Sequence, residues 1–336
     1  MNIKKKIKRI IPGYESLVSA SARINSGYDI SRLEKKIEDL DYKNELLFWL
    51  SKNKTGESLI ETKKRVFLEM PKADGQLREI QLAENFILQR IKKLCDENNI
   101  HFFLIGGTAL GAVRHKGFIP WDDDIDIGML TEDYYVLSEK LKLDELLVER
   151  RMYQSNGGSM VKVKFKNIDS FYVDIFTFDF LNADDSNVDE IWEESQAFTV
   201  DYSNMVKTML SNLNLIDESS IKPIYDETIS EKLKKYFAEI TNKMTYYGIG
   251  DYVTESIENG YLFRKSRGII KKEEVFPLKI NELEFEGMKY DVWNQYEKGL
   301  ERFFGDIWSL PQSVKPIHSE EFCECDFEKL RELNIL

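Results

Sequence analysis

HFFLIGGTALGAVRHKGFIPWDDDIDIGML, His101 to Leu130, is the stretch on which the rest of the chain is read. His101 to Ile105 is a short apolar run that predicts a buried strand. Gly106, Gly107 and Thr108 end that run, and Ala109 to Arg114 can start a helix. A second strand is predicted from near Trp121, carrying Asp122, Asp124 and Asp126 at every second position. Strand side chains alternate, so these three carboxylates are expected on one face, with Asp123 pointing away. Ile125 and Ile127 are expected on the opposite face, against a core.

Carboxylates crowded this closely repel, and each raises the pKa of its neighbour unless a cation offsets the charge. A hard divalent metal with oxygen ligands is the simplest remedy, and Mg²⁺ usually also holds substrate phosphates. Gly106 and Gly107 suit close backbone approach to a phosphate at a helix N-terminus. The pattern therefore predicts a metal-bound polyphosphate site. A GG pair alone is more often a turn, and an Asp-rich run is usually a solvated loop, but such a loop would not normally interleave Ile, Ile and Met. A calcium loop counted from Asp122 would need Gly at its sixth position and Glu at its twelfth, where this chain has Ile127 and Asp133.

GGTALGAVRHKGFIPWDDDIDIG resembles the signature of the LicD family, phosphocholine transferases and their relatives on a nucleotidyltransferase fold, a signature shared by fukutin-related proteins. Gly106-Gly107 and Asp124-Ile125-Asp126 match the wider nucleotidyltransferase pattern of a glycine turn followed by Asp-hydrophobic-Asp. The gap between them is long for that superfamily, and Arg114 to Trp121 resembles the LicD-type insertion. The resemblance implies that Asp124 and Asp126 bind metal. It further implies that Gly106, Gly107 and Thr108 seat phosphates, that Arg114, His115 and Lys116 contact phosphate oxygens, and that Asp122 supports the metal from behind. As bare residues, Arg114, His115 and Lys116 would more often be surface charges.

The chain has 336 residues, which suits one large domain with an appendage or two domains. A net charge of −12 argues against general nucleic-acid binding. No apolar run is long enough to span a bilayer, and the start lacks the features of a secretory signal. Of the three cysteines, Cys323 and Cys325 are expected to be too close for an ordinary structural disulfide, and no Cys/His zinc spacing occurs. A reduced, cytoplasmic chain is expected.

Ile3, Ile7, Ile10 and Ile11 share a helical face beside Lys4, Lys5, Lys6, Lys8 and Arg9, so residues 1–12 suit either an anionic membrane surface or a frayed terminus. Ile30, Leu33, Ile37, Leu40, Asn44 and Leu47 follow heptad spacing. That spacing fits a homodimer through residues 30–50 or a plain amphipathic helix packing on its own domain. A boundary is expected within 51–75, where Gly56, Pro71 and Gly75 break the pattern. From Gln76 to Asn99, Ile80, Ala83, Ile87, Ile91, Leu94 and Cys95 keep helical spacing, and this segment resembles the family's lead-in helix. Thr131 is the expected N-cap of a helix over Glu132–Lys142.

Ser159–Phe165 and Ser170–Phe178 read as strands joined by a turn at Asn167-Ile168-Asp169. Asp174 lies alone in an apolar strand and needs a metal, a partner or a role. Without the upstream motif it would be read as paired with Lys162 or Lys164. VDIFTFD resembles the family's third-carboxylate strand, with Thr177 where Pro is common, and this carries the third metal-ligand and catalytic role to Asp174, with Asp179 as fallback. Residues 185–258 look mainly helical, including a helix over Ile229–Met244. From Val275 the chain resembles the family's closing segment: a hairpin over Leu278–Phe285 and Met288–Trp293, then a helix over Asn294–Phe304, with Trp293 in place of a usual Pro. Trp121 and the tyrosines are candidates for a cation-π box, but aromatics at this frequency are more often core. No Ser/His/Asp or Cys/His nucleophile set stands out.

The expected fold is α+β. A nucleotidyltransferase-fold mixed β-sheet core flanked by helices spans 71–185, with a basic and helical extension over 1–70 and a mainly helical part with the hairpin over 186–336. The resemblance implies a transferase using Mg²⁺ or Mn²⁺ at Asp124, Asp126 and Asp174. Its donor would be CDP-choline or a related CDP-alcohol, and its acceptor a glycan hydroxyl, expected to be lipid-linked. The alternatives are a nucleotidylyltransferase with much the same metal site, and a non-catalytic glycan-assembly scaffold.

Overall fold

Two segments with helical spacing precede the first predicted strand, and both are helices in the computed structural model. It describes residues 28–153, 159–181, 183–190, 193, 204, 208, 250–255, 269–278, 280–311 and 322–336. These fall into two compact units, Met1–Val66 with Trp308–Leu310, and Phe67–Ile307 with Pro311–Leu336. The basic segment 1–12 and the helix expected over Ile229–Met244 lie outside the described residues.

The smaller unit holds helix α1 (Tyr28–Lys52) and most of helix α2 (Leu59–Leu68). Ser58 and Glu61 form a reciprocal capping box at the start of α2, the Ser58 N–H donating to Glu61 Oε2 at 2.8 Å and the Glu61 N–H to Ser58 Oγ at 3.3 Å. Trp49 is fully buried, its indole N–H donating to Glu45. The heptad positions Ile37, Leu40 and Leu47 are exposed at 58%, 58% and 65%.

In the larger unit, helix α3 (Gly75–Asn98) realises the predicted lead-in helix and ends on Asn99 in the left-handed region. Ile87, Leu88 and Ile91 are completely buried, each worth about 1.5–3 kcal/mol. Strand β1 (Phe102–Leu104) is followed by helix α4 (Gly106–His115), strand β2 (Asp126–Leu130) and helix α5 (Thr131–Leu141). Strands β3 (Leu147–Tyr153), β4 (Ser159–Phe165), β5 (Tyr172–Leu181), β6 (Tyr252–Glu255) and β7 (Ile270–Lys271) complete a seven-stranded mixed sheet. Its main path is β1-β2-β5-β4-β3, and β6 pairs with the second half of β5. The β2–β5 pair is parallel, while β1–β2, β4–β5 and β3–β4 are antiparallel. Helices α3 and α5 pack on it, giving the expected α+β architecture. Strand β6 falls inside the stretch expected to be mainly helical.

After a short helix α6 (Lys272–Val275), strands β8 (Glu282–Phe285) and β9 (Met288–Asp291) make the expected hairpin, and helices α7 (Tyr296–Phe304) and α8 (Glu324–Glu332) follow. Thr131 is the first residue of α5, not its N-cap; Leu130 holds that position, and the Thr131 hydroxyl donates to the Phe178 carbonyl across the sheet. Cys323 and Cys325 are joined as a disulfide, against expectation. Their Cα atoms are 5.3 Å apart where the chain turns into α8, a separation a disulfide can span. Among the described residues, no helix is long and apolar enough to cross a membrane.

Candidate active site

Two carboxylates meet because two strands run in parallel register. Asp126 opens β2 and lies directly opposite Asp174 in β5. Neighbouring residues in register share a sheet face, so both project to one side, while Ile127 and Ile175 project to the other and are buried at 0% and 1%. The Asp174 N–H donates to the Ile125 carbonyl at 2.8 Å, extending the ladder one residue past the strand start. Asp174 is only 4% exposed. On its other side, across β4, Lys162 holds its Nζ 3.4 Å from Asp174 Oδ1 and over the Tyr172 ring. The structure thus places Asp174 beside both Asp126 and Lys162; Lys164 pairs with Asp169. Asp179 is five residues further along β5, which puts it on the opposite face from Asp174.

The start of α4 is fitted against these acids. Gly106 has φ +56°, and a Cβ there would fall 2.7 Å from Asp126 Oδ2. A Cβ on Gly107 would fall 2.8 Å from Asp122 Oδ2. The glycines therefore admit carboxylates as close neighbours of the helix N-terminus, where the helix dipole favours negative charge. Thr108 is buried, and its Oγ1 accepts the Asp126 N–H at 2.8 Å, tying the helix to the first residue of β2.

Asp122, Asp123 and Asp124 do not lie on a strand. β2 begins only at Asp126, and the residues before it form a loop. The reason is a competing partner. Gln81 on α3 donates its amide to the Asp122 carbonyl at 2.9 Å and to the Ile119 carbonyl at 3.4 Å, so this backbone is held by a helix side chain, not by a ladder. As a result Asp123 does not point away from its neighbours. It is 1% exposed, and carboxylate oxygens of Asp122, Asp123 and Asp124 all lie within 4.8 Å of one another.

Facing this loop is a residue that sequence reasoning missed. Glu84 stands one turn from Gln81 on α3, is 0% exposed, and neither of its carboxylate oxygens accepts a hydrogen bond. Burial pushes its carboxyl well above the usual range, and the charges of Asp124, Asp123, Asp174 and Asp122 push it further. The signal was present in the sequence. Gln81 and Glu84 are polar residues on the same helix face as the apolar stripe of Ile80, Ala83 and Ile87, where an amphipathic helix normally carries no charge.

The basic residues of the insertion have other engagements. Arg114 is buried, donates Nε–H to the Ile307 carbonyl, and lays its guanidinium 4.4 Å from the centre of the Phe67 ring. His115 bonds through Nδ1 to the Phe67 carbonyl at 2.7 Å and stands edge-on to Trp121. Burial pushes its imidazole down to about 4. Lys116 is in the left-handed region, half exposed, and 3.4 Å from Glu284. Glu286, at the tip of the β8–β9 hairpin, accepts the Phe118 N–H, pairs with Arg78 and Lys72, and donates its own N–H to the Lys116 carbonyl. The hairpin therefore pins the insertion just before the acidic loop.

Among known proteins, the LicD/FKTN/FKRP nucleotidyltransferase domain matches residues 99–217. The chain is 27% identical over 261 residues to the lipopolysaccharide cholinephosphotransferase LicD of Haemophilus influenzae, covering 73% of this chain and 97% of that protein. It is 32% identical over 84 residues to the ribitol 5-phosphate transferase FKRP of Homo sapiens, covering 24% of this chain and 17% of that protein. Both names describe transfer of a phosphorylated alcohol. The matched segment contains the glycine-started helix, the acidic loop and the Asp126–Asp174 strand pair, and these similarities support a LicD-family assignment for it.

Proposed function

We propose that this chain is a metal-dependent transferase that moves a phospho-alcohol, phosphocholine or a similar group, from a CDP-activated donor to a hydroxyl of a cell-surface glycan or its lipid-linked precursor. The observation that carries this reading is the register of Asp126 against Asp174 beside a helix that begins on two glycines. The names of the relatives support the phospho-alcohol as cargo.

The donor set fits a hard divalent cation. Asp124, Asp126 and Asp174 offer only carboxylate oxygens, and Gly106 keeps a side chain out of the space beside Asp126 Oδ2. When bound, Mg²⁺ or Mn²⁺ would neutralise charge on the transferred phosphoryl group and on the departing CMP. The chain's own residues do the rest. The N-terminus of α4 presents backbone N–H groups to the donor phosphates. Thr108 fixes Asp126 by accepting its N–H. Asp174 takes the proton of the acceptor hydroxyl on a carboxylate oxygen, with Lys162 balancing the charge of the pair. The sheet buries Asp174 on a rigid strand, which holds the base in place.

Incubating the chain with Mg²⁺, a panel of CDP-alcohols and a lipid-linked glycan tests this. The expected result is CMP in solution and an acceptor heavier by one phospho-alcohol. CMP attached to the acceptor would make the chain a nucleotidylyltransferase, and an unchanged acceptor with every donor would sink the transferase reading.

A further inference from the structure

The disulfide between Cys323 and Cys325 closes a loop with a single residue, Glu324, between the cysteines. The stabilisation that a disulfide lends through the unfolded chain grows with the length of the loop it closes, so this bond adds little to the stability of the fold. Helix α8 is docked by other means. Phe327 and Leu330 are buried at 0%, Lys329 donates to the Asn167 carbonyl at 3.1 Å, and Arg331 pairs with Glu79 on α3 at 2.9 Å. Both cysteines are exposed, within reach of a thiol in solution, and exposed disulfides are the ones that exchange readily.

The contacts around the pair give it a use. Cys323 is the N-cap residue of α8, and its N–H donates to Ser170 Oγ at 3.3 Å, while the same hydroxyl donates to Asp326 Oδ2 at 2.7 Å. Phe322, just before the pair, stacks on the Phe171 ring at 5.8 Å between centres, and Phe327, just after it, meets that ring edge-on at 5.0 Å. Phe171 is fully buried and leads directly into β5. The disulfide therefore lies between two rings that grip the residue before the strand of Asp174. We propose that Cys323 and Cys325 are a thiol–disulfide exchange site, opened reversibly by a low-molecular-weight thiol such as glutathione, and that its state sets how firmly α8 holds the segment before β5. A thiolate of the small thiol attacks one sulfur, the S–S bond breaks, and the other cysteine leaves as a thiolate. A second small thiol then displaces the first, leaving two cysteine thiols and one small-molecule disulfide, with two electrons and two protons passed to the chain. The site stands whether or not the chain is a transferase.

Maleimide labelling of the folded, full-length chain, read by mass spectrometry, tests the exchange. The air-oxidised chain should take no label at Cys323 or Cys325, excess reduced glutathione should open both to labelling, and oxidised glutathione should close them again. Cys95 is buried and serves as the internal control for folding. Labels that appear only in denaturant overturn the proposal, as does a chain fully labelled before any thiol is added. Hydrogen exchange in peptides covering 167–171 and 323–330 then tests the hold of α8. It should be at least about threefold faster in the reduced chain, and a variant carrying Cys323→Ser and Cys325→Ser should show the fast rate with and without thiol. A smaller difference overturns the proposal. Should that variant fail to fold, the parent chain in its two redox states gives the same comparison.

Discussion

The Asp126–Asp174 pair and the Asp122–Asp124 loop both crowd carboxylates, but they are built by opposite means. The strand pair is fixed by backbone register, and compensating groups stand against it: Lys162 at 3.4 Å, the Thr108 hydroxyl behind Asp126, and the glycine start of α4. In the loop, the Gln81 amide holds the Asp122 and Ile119 carbonyls, and the loop's charges help push the buried Glu84 carboxyl well above the usual range. Where the fold supplies its own counter-charge, the acids stand as a permanent pair.

The sharpest way to break this comparison is to neutralise the strand pair. Asp126→Asn or Asp174→Asn should lower kcat by about 10³-fold or more, roughly 4 kcal/mol of barrier, with the melting temperature kept within a few degrees. A variant within tenfold of the parent would move the chemistry elsewhere, the loop being the next place to look. Acid tests the frame that both groups share. His115 has its folded pKa pushed down to about 4 from 6.5, so the unfolded chain takes up the proton first. Its contribution is fully present above pH 6.5 and is lost as the pH falls toward 4, a change of roughly 3 kcal/mol at most. Urea melts at pH 7 and pH 4.5 should show that loss in the parent and a flatter profile in His115→Gln; equal slopes would exclude His115 as its source.

A smaller effect separates the two glycines. Gly106→Ala places a side chain in the left-handed region and against Asp126, and should cost roughly 1–3 kcal/mol of strain, read as a tenfold or larger fall in kcat. Gly107→Ala presses on Asp122 instead and has no such φ, so its main effect should be on Mn²⁺ affinity, with kcat within about threefold of the parent. Equal kinetic damage from both would mean that the strand pair and the loop act as one unit.

The parts of this arrangement carried by periodicity could be read from the sequence. Ser159–Phe165 is a strand over its predicted length, and the lead-in helix differs from its predicted limits by one residue at each end. The hairpin and the strand around Asp174 were also legible, because alternation and helical spacing are local properties. The loop was not. Asp122, Asp124 and Asp126 alternate as a strand would, but the chain has a rival for its backbone groups in Gln81, and nothing local to the motif announces a partner some forty residues away. Glu84 escaped notice because its meaning depends on that same docking. Arg114 and His115 looked like surface charges or phosphate ligands until burial against Phe67 was visible. Lys162 was weighed only as a partner for Asp174, yet the structure gives Asp174 an acidic neighbour on one side and this lysine on the other.

Strand β5 is bonded along one edge to β2, and along the other to β4 over its first half and β6 over its second. Sliding it by a single position would turn Asp174 through the sheet and break three sets of pairings at once. The protein therefore does not depend on a tuned side-chain contact to aim this acid. Its aim is locked three times over by the cheapest fastening a polypeptide has, which leaves the surrounding loops at liberty to vary without putting this acid out of true.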